Sequence, residues 1–113
     1  AGASGVALAA VAAHKVESPA LATAATMLTI HAAAALGLIA LATRLPNPKV
    51  WLFMAVAMLA SVSLFSGDVA YFAVAGSHIF SHAAPMGGSA LILTWLAVAA
   101  LALVSLRAGA DRT

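Results

Sequence analysis

Histidine side chains near two polar breaks in the chain are the residues best suited to bind a metal. His78 and His82 are four residues apart, so on a helix their imidazoles would face one way and could bind zinc or copper. His14, at an earlier break, Asp68 or Met86 could supply a third ligand. A metal site formed by His78, His82 and His14 is therefore one hypothesis, and solvated loop histidines are the other.

Asp68 is the most unusual of the three acidic residues, because it lies inside the apolar run SLFSGDVAYFAVAG. It follows Val50 by 18 residues, about 27 Å along a helix. That distance places it near the edge of a bilayer, where a charge costs much less than at the centre. We predict that Asp68 faces an outer polar cluster with His14, Lys15 and His78. Asp68 would then either connect the third helix to the first as a structural contact or act as a functional acid.

His31 lies deep in an apolar stretch rich in Ala, Thr and Leu. A neutral imidazole in that environment needs a hydrogen-bond partner, and the candidates are a backbone carbonyl, Ser61, Thr94 or a ligand. Haem would require a second axial ligand at the same depth, whereas the other three histidines lie near the outer end. We expect a structural histidine and no cofactor, and haem or a metal ion remain as alternatives.

The sequence contains no other arrangement typical of catalysis. Phosphate-binding loops, a nucleophile elbow and paired carboxylates are absent. The absence of cysteine excludes disulfides and thiolate metal sites. A net charge of +2, spread thinly, gives no nucleic-acid footprint. We therefore expect a protein that is not an enzyme and does not bind nucleic acid.

Composition places the chain in a membrane. Of 113 residues, 65% are hydrophobic and 7% are charged, and the mean hydropathy is +1.11. A soluble domain carries about a quarter charged residues. A chain this small has too much surface relative to its volume to hide so many apolar side chains from water. Lipid is therefore the expected solvent and the first expected partner.

Polar breaks divide the chain into four apolar blocks, which predict a single all-α domain over residues 1–113. Ser18 and Pro19 are typical of a helix start, and Pro46 and Pro48 interrupt the chain at the next break. A bilayer core of about 30 Å needs roughly 20 helical residues. We predict four transmembrane helices in an antiparallel up-down bundle, at about 1–14, 19–43, 49–76 and 85–107.

The first block is the shortest and begins at Ala1 rather than Met. We expect that residues preceding Ala1 are missing from the sequence. A signal peptide is the competing interpretation, because the small residues at 10–13 resemble a cleavage site.

The distribution of cations predicts the orientation of the helices. With four crossings, one side of the membrane holds Lys15 and the other holds Arg44, Lys49, Arg107 and Arg112. The positive-inside rule then places both termini in the cytoplasm, and the expected location is the bacterial inner membrane. An anionic-lipid or partner site is the alternative role of these cations.

Aromatic and small residues predict how the helices sit and pack. Trp51 is expected to be an interface anchor, and Tyr71 suits the opposite belt. Lipid supplies no hydrophobic force between helices, so close packing relies on small side chains. The predicted helix-packing residues are Gly67, Gly87, Gly88, Ala90 and Thr94. The stripe on the fourth helix formed by Gly87, Ala90, Thr94, Ala97 and Leu101 is the first candidate to dock another subunit.

Four stretches of the chain carry a family resemblance. They are Ala-Ala-Val-Ala-Ala-His at 9–14, His-Ala-Ala-Ala-Ala-Leu at 31–36, Leu-Phe-Ser-Gly at 64–67 with Tyr71, and Ala-Pro-Met-Gly-Gly at 84–88 with Trp95. Together they resemble the domain of unknown function 423 family, small bacterial membrane proteins related to eukaryotic transmembrane protein 256. The resemblance implies four transmembrane helices and no particular reaction. It also implies importance for His14, His31, Ser66, Gly67, Pro85, Gly87 and Gly88.

This sequence departs from the family pattern in two places. Asp68 stands where the family usually has serine, and the third loop carries two histidines. Our leading hypothesis is a non-enzymatic accessory subunit packed against a larger membrane complex, respiratory or photosynthetic. The alternative is a small binding or conducting protein whose outer His/Asp cluster takes a metal, a proton or a quinone.

Overall fold

A computed structural model describes residues 1–14 and 18–112, and it consists of helices joined by short loops. The helices are α1 (Gly2–His14), α2 (Pro19–Ala42), α3 (Pro48–Ala75) and α4 (Ala83–Ala110). The all-helical prediction is therefore confirmed. Helix α4 begins two residues earlier and ends three residues later than predicted. Pro85 is tolerated there because the first turn of a helix needs no backbone N–H donor.

Local chemistry determines where the helices begin and end. The Ser18 side chain accepts a hydrogen bond from the Leu21 N–H at 3.4 Å and so caps α2. Asn47 adopts a left-handed conformation, φ 60°, between Pro46 and Pro48. Gly76 ends α3 at φ 71°, a conformation that glycine adopts without the steric cost of a Cβ.

Three of the four helices are long and apolar enough to cross a membrane. They are α2, α3 and α4, whose most apolar windows have mean hydropathies of 1.9, 2.0 and 2.3. Helix α1 has 13 residues, about 20 Å of helix, which is less than the ~30 Å hydrocarbon core. Of the four predicted membrane crossings, helix length therefore supports three, those of α2, α3 and α4.

The helices pack in chain order rather than as a closed bundle. Helix α1 contacts α2, α2 contacts α3, and α3 contacts α4, while no other helix pair approaches closely within the described residues. The thinnest dimension of the molecule is accordingly 18 Å. This open row differs from the predicted bundle, in which α1 and α4 would also pack against each other.

Contacts between α3 and α4 define two ends of the molecule. Asp68, near the end of α3, bonds the start of α4, and Trp51, near the start of α3, packs in a cluster with Leu101 of α4. The two helices therefore run in opposite directions. We call the end near residues 76–82 the Asp68 end. We call the other the basic end, which carries Arg44, Lys49, Arg107 and Arg112.

The apolar core lies along α2 and α3. Its buried members are Leu28, Ala35, Leu38 and Ala42 of α2, Trp51, Ala55, Met58 and Val62 of α3, and Leu91 of α4. Trp51 is 3% exposed, so the prediction of an interface anchor is wrong. It shares one helix face with Ala55 and Met58, and that face packs against α2. Tyr71 is exposed, as an interface residue would be.

Two glycines permit close approach of helix backbones. A Cβ added to Gly87 would lie 2.5 Å from the Phe65 backbone nitrogen and 2.9 Å from the Ser61 carbonyl oxygen. A Cβ added to Gly5 of α1 would lie 2.5 Å from the Thr29 hydroxyl and 3.2 Å from the Ala25 carbonyl oxygen, both on α2. Small residues therefore set the α3–α4 and α1–α2 spacings.

The predicted packing residues have different environments. Gly87 and Thr94 are buried, Gly88 lies against the Phe65 ring, Ala90 is exposed, and a Cβ at Gly67 would meet open space. The small residues that pack α4 against α3 therefore belong to the stripe that we predicted would dock another subunit. That assignment was wrong for Gly87 and Thr94, which lie on the internal face of α4.

Candidate functional site

The Asp68 carboxylate is completely buried, with 0% exposure, and accepts three hydrogen bonds. Its Oδ1 accepts from the Ile79 backbone N–H at 2.7 Å. Its Oδ2 accepts from His78 Nδ1 at 2.7 Å and from the Ala84 backbone N–H at 3.1 Å. The Ala84 N–H belongs to the first turn of α4, whose amides favour negative charge. One side chain therefore joins α3, the loop at residues 76–82 and α4.

His78 is held in one orientation by two contacts. Its Nδ1 donates to Asp68, and its ring stacks on Phe72 with centroids 4.5 Å apart and planes 17° from parallel. The side chain is 51% exposed. Since Nδ1 is the bonded nitrogen, Nε2 is the one open to a proton or a ligand. A carboxylate that orients a histidine in this way also occurs behind metal-bound histidines.

The predicted outer cluster is assembled only in part. Of its four predicted members, Asp68 and His78 form a hydrogen-bonded pair. His14 makes no hydrogen bond to Asp68, and its helix packs against α2 alone. Lys15 lies outside the described residues. The carboxylate therefore ties α3 to α4, not α3 to α1 as expected, because the loop after α3 folds back over Asp68.

The predicted metal ligands are not gathered into one site. Residues 77–82 form bends and turns rather than a helix, so His78 and His82 lack the one-sided spacing on which the hypothesis relied. His82 has φ 74° and precedes α4. Across residues 1–14 and 18–112, no group of three His, Asp or Glu side chains is placed to hold a metal ion. The open Nε2 of His78 offers a single ligand position.

His31 forms the second buried polar site, and both of its ring nitrogens are bonded. Nδ1 lies 2.7 Å from the Met27 carbonyl oxygen, and Nε2 accepts from Trp95 Nε1 at 3.1 Å. A carbonyl only accepts and an indole N–H only donates, so the partners fix the neutral tautomer with the proton on Nδ1. The backbone carbonyl was among the predicted partners, whereas Trp95 was not.

Trp95 could have been found from depth along the helices. His31 follows the start of α2 by 12 residues and Trp95 follows the start of α4 by 12 residues. The two rings meet edge to face, with centroids 6.0 Å apart. Because the Nε2 lone pair is already engaged, His31 has none to offer an iron atom in this arrangement. The bond instead connects α2 and α4, whose backbones do not pack together.

We expect a measurable coupling between His31 and Trp95. Replacing His31 with Leu and Trp95 with Phe, singly and together, should give a coupling of about 0.5–2 kcal/mol in the free energy of unfolding. Unfolding in mixed micelles, followed by circular dichroism, measures it. Trp51→Phe combined with His31→Leu is the control and should be additive. A coupling of zero for the first pair would mean that the bond does not stabilise the protein.

Ser66 is also fully buried, and its hydroxyl has no hydrogen-bond partner among the described residues. It lies two residues before Asp68, on the inner side of α3. Its oxygen contributes nothing to the three bonds that hold the carboxylate. Ser66 is therefore not part of the hydrogen-bonded site around Asp68.

Comparison with known proteins places the chain in a family but gives no activity. Residues 8–88 match the family described as "Protein of unknown function (DUF423)". The matched range includes His31, Asp68 and His78 together with Gly87. This match confirms the resemblance seen in the sequence. No curated protein and no solved structure matches the chain.

Proposed function

Since the chain belongs to the DUF423 family, whose function is unknown, we propose that it is a non-enzymatic accessory subunit that packs against a larger membrane complex through α1 and α2. The observation that supports this proposal most is the size of the residues on the outward face of α2. They recur at helical spacing on the side opposite α3, and all are exposed: Ala22, Thr26, Thr29, Ala33, Gly37 and Ala40.

The threonines of this face are already satisfied. The Thr26 hydroxyl donates to the Ala22 carbonyl and the Thr29 hydroxyl donates to the Ala25 carbonyl, each at 2.9 Å. Neither threonine therefore leaves an unpaired hydroxyl on this surface. Helix association in lipid depends on such small, close-packing surfaces.

A groove between α1 and α2 continues this surface. It has a volume of about 470 Å³ and is lined mainly by alanine and threonine, from Ala9, Ala12 and Ala13 on α1 to Ala22, Thr26 and Thr29 on α2.

Farther along α2, outside the groove, a Cβ added at Gly37 meets nothing within 4 Å. A helix of another subunit could therefore approach α2 closely there.

The outward face of α4 carries more large side chains than that of α2, which exposes Ile30 and Leu36 beside its small residues. It exposes large aliphatic side chains, among them Ile92, Leu93, Leu96, Leu103 and Val104. Large flexible side chains suit contact with lipid tails, whereas small ones suit contact with another helix. This contrast favours α1 and α2, rather than α4, as the surface that meets a partner.

Gly37→Leu should break the complex without unfolding the subunit. The added side chain enters open space within the chain but would block a helix packed against α2. We expect purification in mild detergent to recover wild type with a partner, and Gly37→Leu without it, at unchanged helicity. Ala99→Leu, on the exposed face of α4, is the matched control and should keep the partner. A wild-type protein that purifies as a lone monomer would contradict the proposal.

We also propose that the basic end lies in the cytoplasm of a bacterial inner membrane, with both termini directed there. The absence of natural cysteine allows a direct assay with single introduced thiols. Ser77→Cys, at the Asp68 end, should react with a membrane-impermeant maleimide added outside cells with a permeabilised outer membrane. Asn47→Cys should react only after lysis. The reverse pattern would overturn this orientation.

A further inference from the structure

The basic end brings together four cations from three helices. Arg44 follows α2, Lys49 lies in the first turn of α3, Arg107 lies near the end of α4, and Arg112 follows α4. Helix α3 packs against both α2 and α4, so these helix ends are neighbours. All four side chains are exposed.

Little within the chain balances this charge. Asp111 is the one acidic residue at this end, and it is not within ion-pair distance of any of the four cations in the described residues. The ends of α2 and α4 each contribute about −0.5 charge and the start of α3 about +0.5. After Asp111 and these helix-end charges are subtracted from the four cations, the basic end keeps a net positive charge of about 2.5.

Apolar side chains lie immediately beside the cations. Leu103, Val104 and Leu106 precede Arg107 on α4 and are 59%, 64% and 72% exposed. A ligand that satisfies both features must carry an anionic group at the level of the cations and a long apolar group along the helix. Free phosphate and a soluble acidic protein have only the first of these properties.

We infer that the basic end is a binding surface for anionic phospholipid. Lipid phosphates lie against Arg44, Lys49 and Arg107, and acyl chains lie along Leu103 and Val104. Arginine suits this role because its planar guanidinium donates two parallel hydrogen bonds to phosphate oxygens. This inference does not depend on a partner subunit, because it uses the basic end rather than the face formed by α1 and α2.

Spin-labelled lipids provide the test. The full-length protein is reconstituted in phosphatidylcholine, and electron paramagnetic resonance compares the association of labelled phosphatidylglycerol with that of labelled phosphatidylcholine. Wild type should prefer phosphatidylglycerol, and added salt should reduce the preference. Each neutralised cation should reduce it by up to about fivefold, so R44Q/K49Q/R107Q/R112Q should show none.

Two further variants make the test specific. R44K/R107K/R112K keeps the charges and should retain at least part of the preference. R44Q/K49Q and R107Q/R112Q should each lose part of it if both sides of α3 contribute. Circular dichroism verifies that each variant keeps its helices. No preference in wild type, or an undiminished preference in the fourfold glutamine variant, would overturn the inference.

Discussion

Gly87→Ala should force α3 and α4 apart and markedly lower the stability of the protein. The new methyl group would lie 2.5 Å from the Phe65 backbone nitrogen and 2.9 Å from the Ser61 carbonyl oxygen. Backbone atoms within a helix cannot move aside as a flexible side chain can. Overpacking of this kind costs about 1–3 kcal/mol or more, which unfolding in mixed micelles would measure.

Two other glycines, Gly88 of α4 and Gly67 of α3, provide matched controls for this prediction. A Cβ at Gly88 would lie 3.6 Å from the Phe65 ring, an ordinary contact, and one at Gly67 would meet open space. Gly88→Ala and Gly67→Ala should therefore leave stability unchanged or slightly improved, because alanine favours helix over glycine by about 1 kcal/mol. Equal effects of all three substitutions would show that the α3–α4 spacing does not depend on Gly87.

Asp68→Ala should release the loop at residues 76–82 and the start of α4. The substitution removes the acceptor of three hydrogen bonds, from Ile79, His78 and Ala84. The two backbone N–H groups would lose their partner at a cost of about 1–3 kcal/mol each, whereas the half-exposed His78 ring can bond water instead, so we expect a loss of about 2 kcal/mol or more. Asp68→Asn should recover only part of the lost stability. The asparagine NH₂ group cannot accept a hydrogen bond, so at least one of the donors would still lack an acceptor.

Amide hydrogen exchange gives the most specific measurement for Asp68. The N–H groups of Ile79 and Ala84 should exchange much faster in Asp68→Ala, while amides in the middle of α2 should keep their protection. Asp111→Asn is the control, because Asp111 is exposed and forms no ion pair in the described residues. Unchanged exchange at Ile79 and Ala84 would contradict the role assigned to the carboxylate.

The helices were predictable because they depend on local patterns. Apolar runs of transmembrane length, proline at the first helical position and Ser18 as a cap fix where helices begin. The position of Asp68 near the end of α3 also followed from counting residues. Its contact with His78 was among those expected, since both belong to the same end of the molecule.

Contacts between helices were harder to predict because they depend on rotation about each helix axis. Trp51 looked like an interface residue from its place beside Lys49, but its side chain faces the core. Gly87 was correctly selected as a packing residue, yet the sequence does not reveal that α3 is its partner. Besides His78, the contacts with Asp68 come from the backbone N–H groups of Ile79 and Ala84, and no sequence motif identifies such donors because every residue except proline carries one.

Site-specific photo-crosslinking in native membranes tests the central claim, that α1 and α2 meet a partner. A photoreactive side chain placed at Ala33 or Gly37 of α2 is compared with one placed at Leu93 or Leu96 of α4. We predict a discrete crosslinked product with a different membrane protein from the α2 positions, and only lipid adducts from α4. Protein adducts from α4 alone, or none from either helix, would contradict the account.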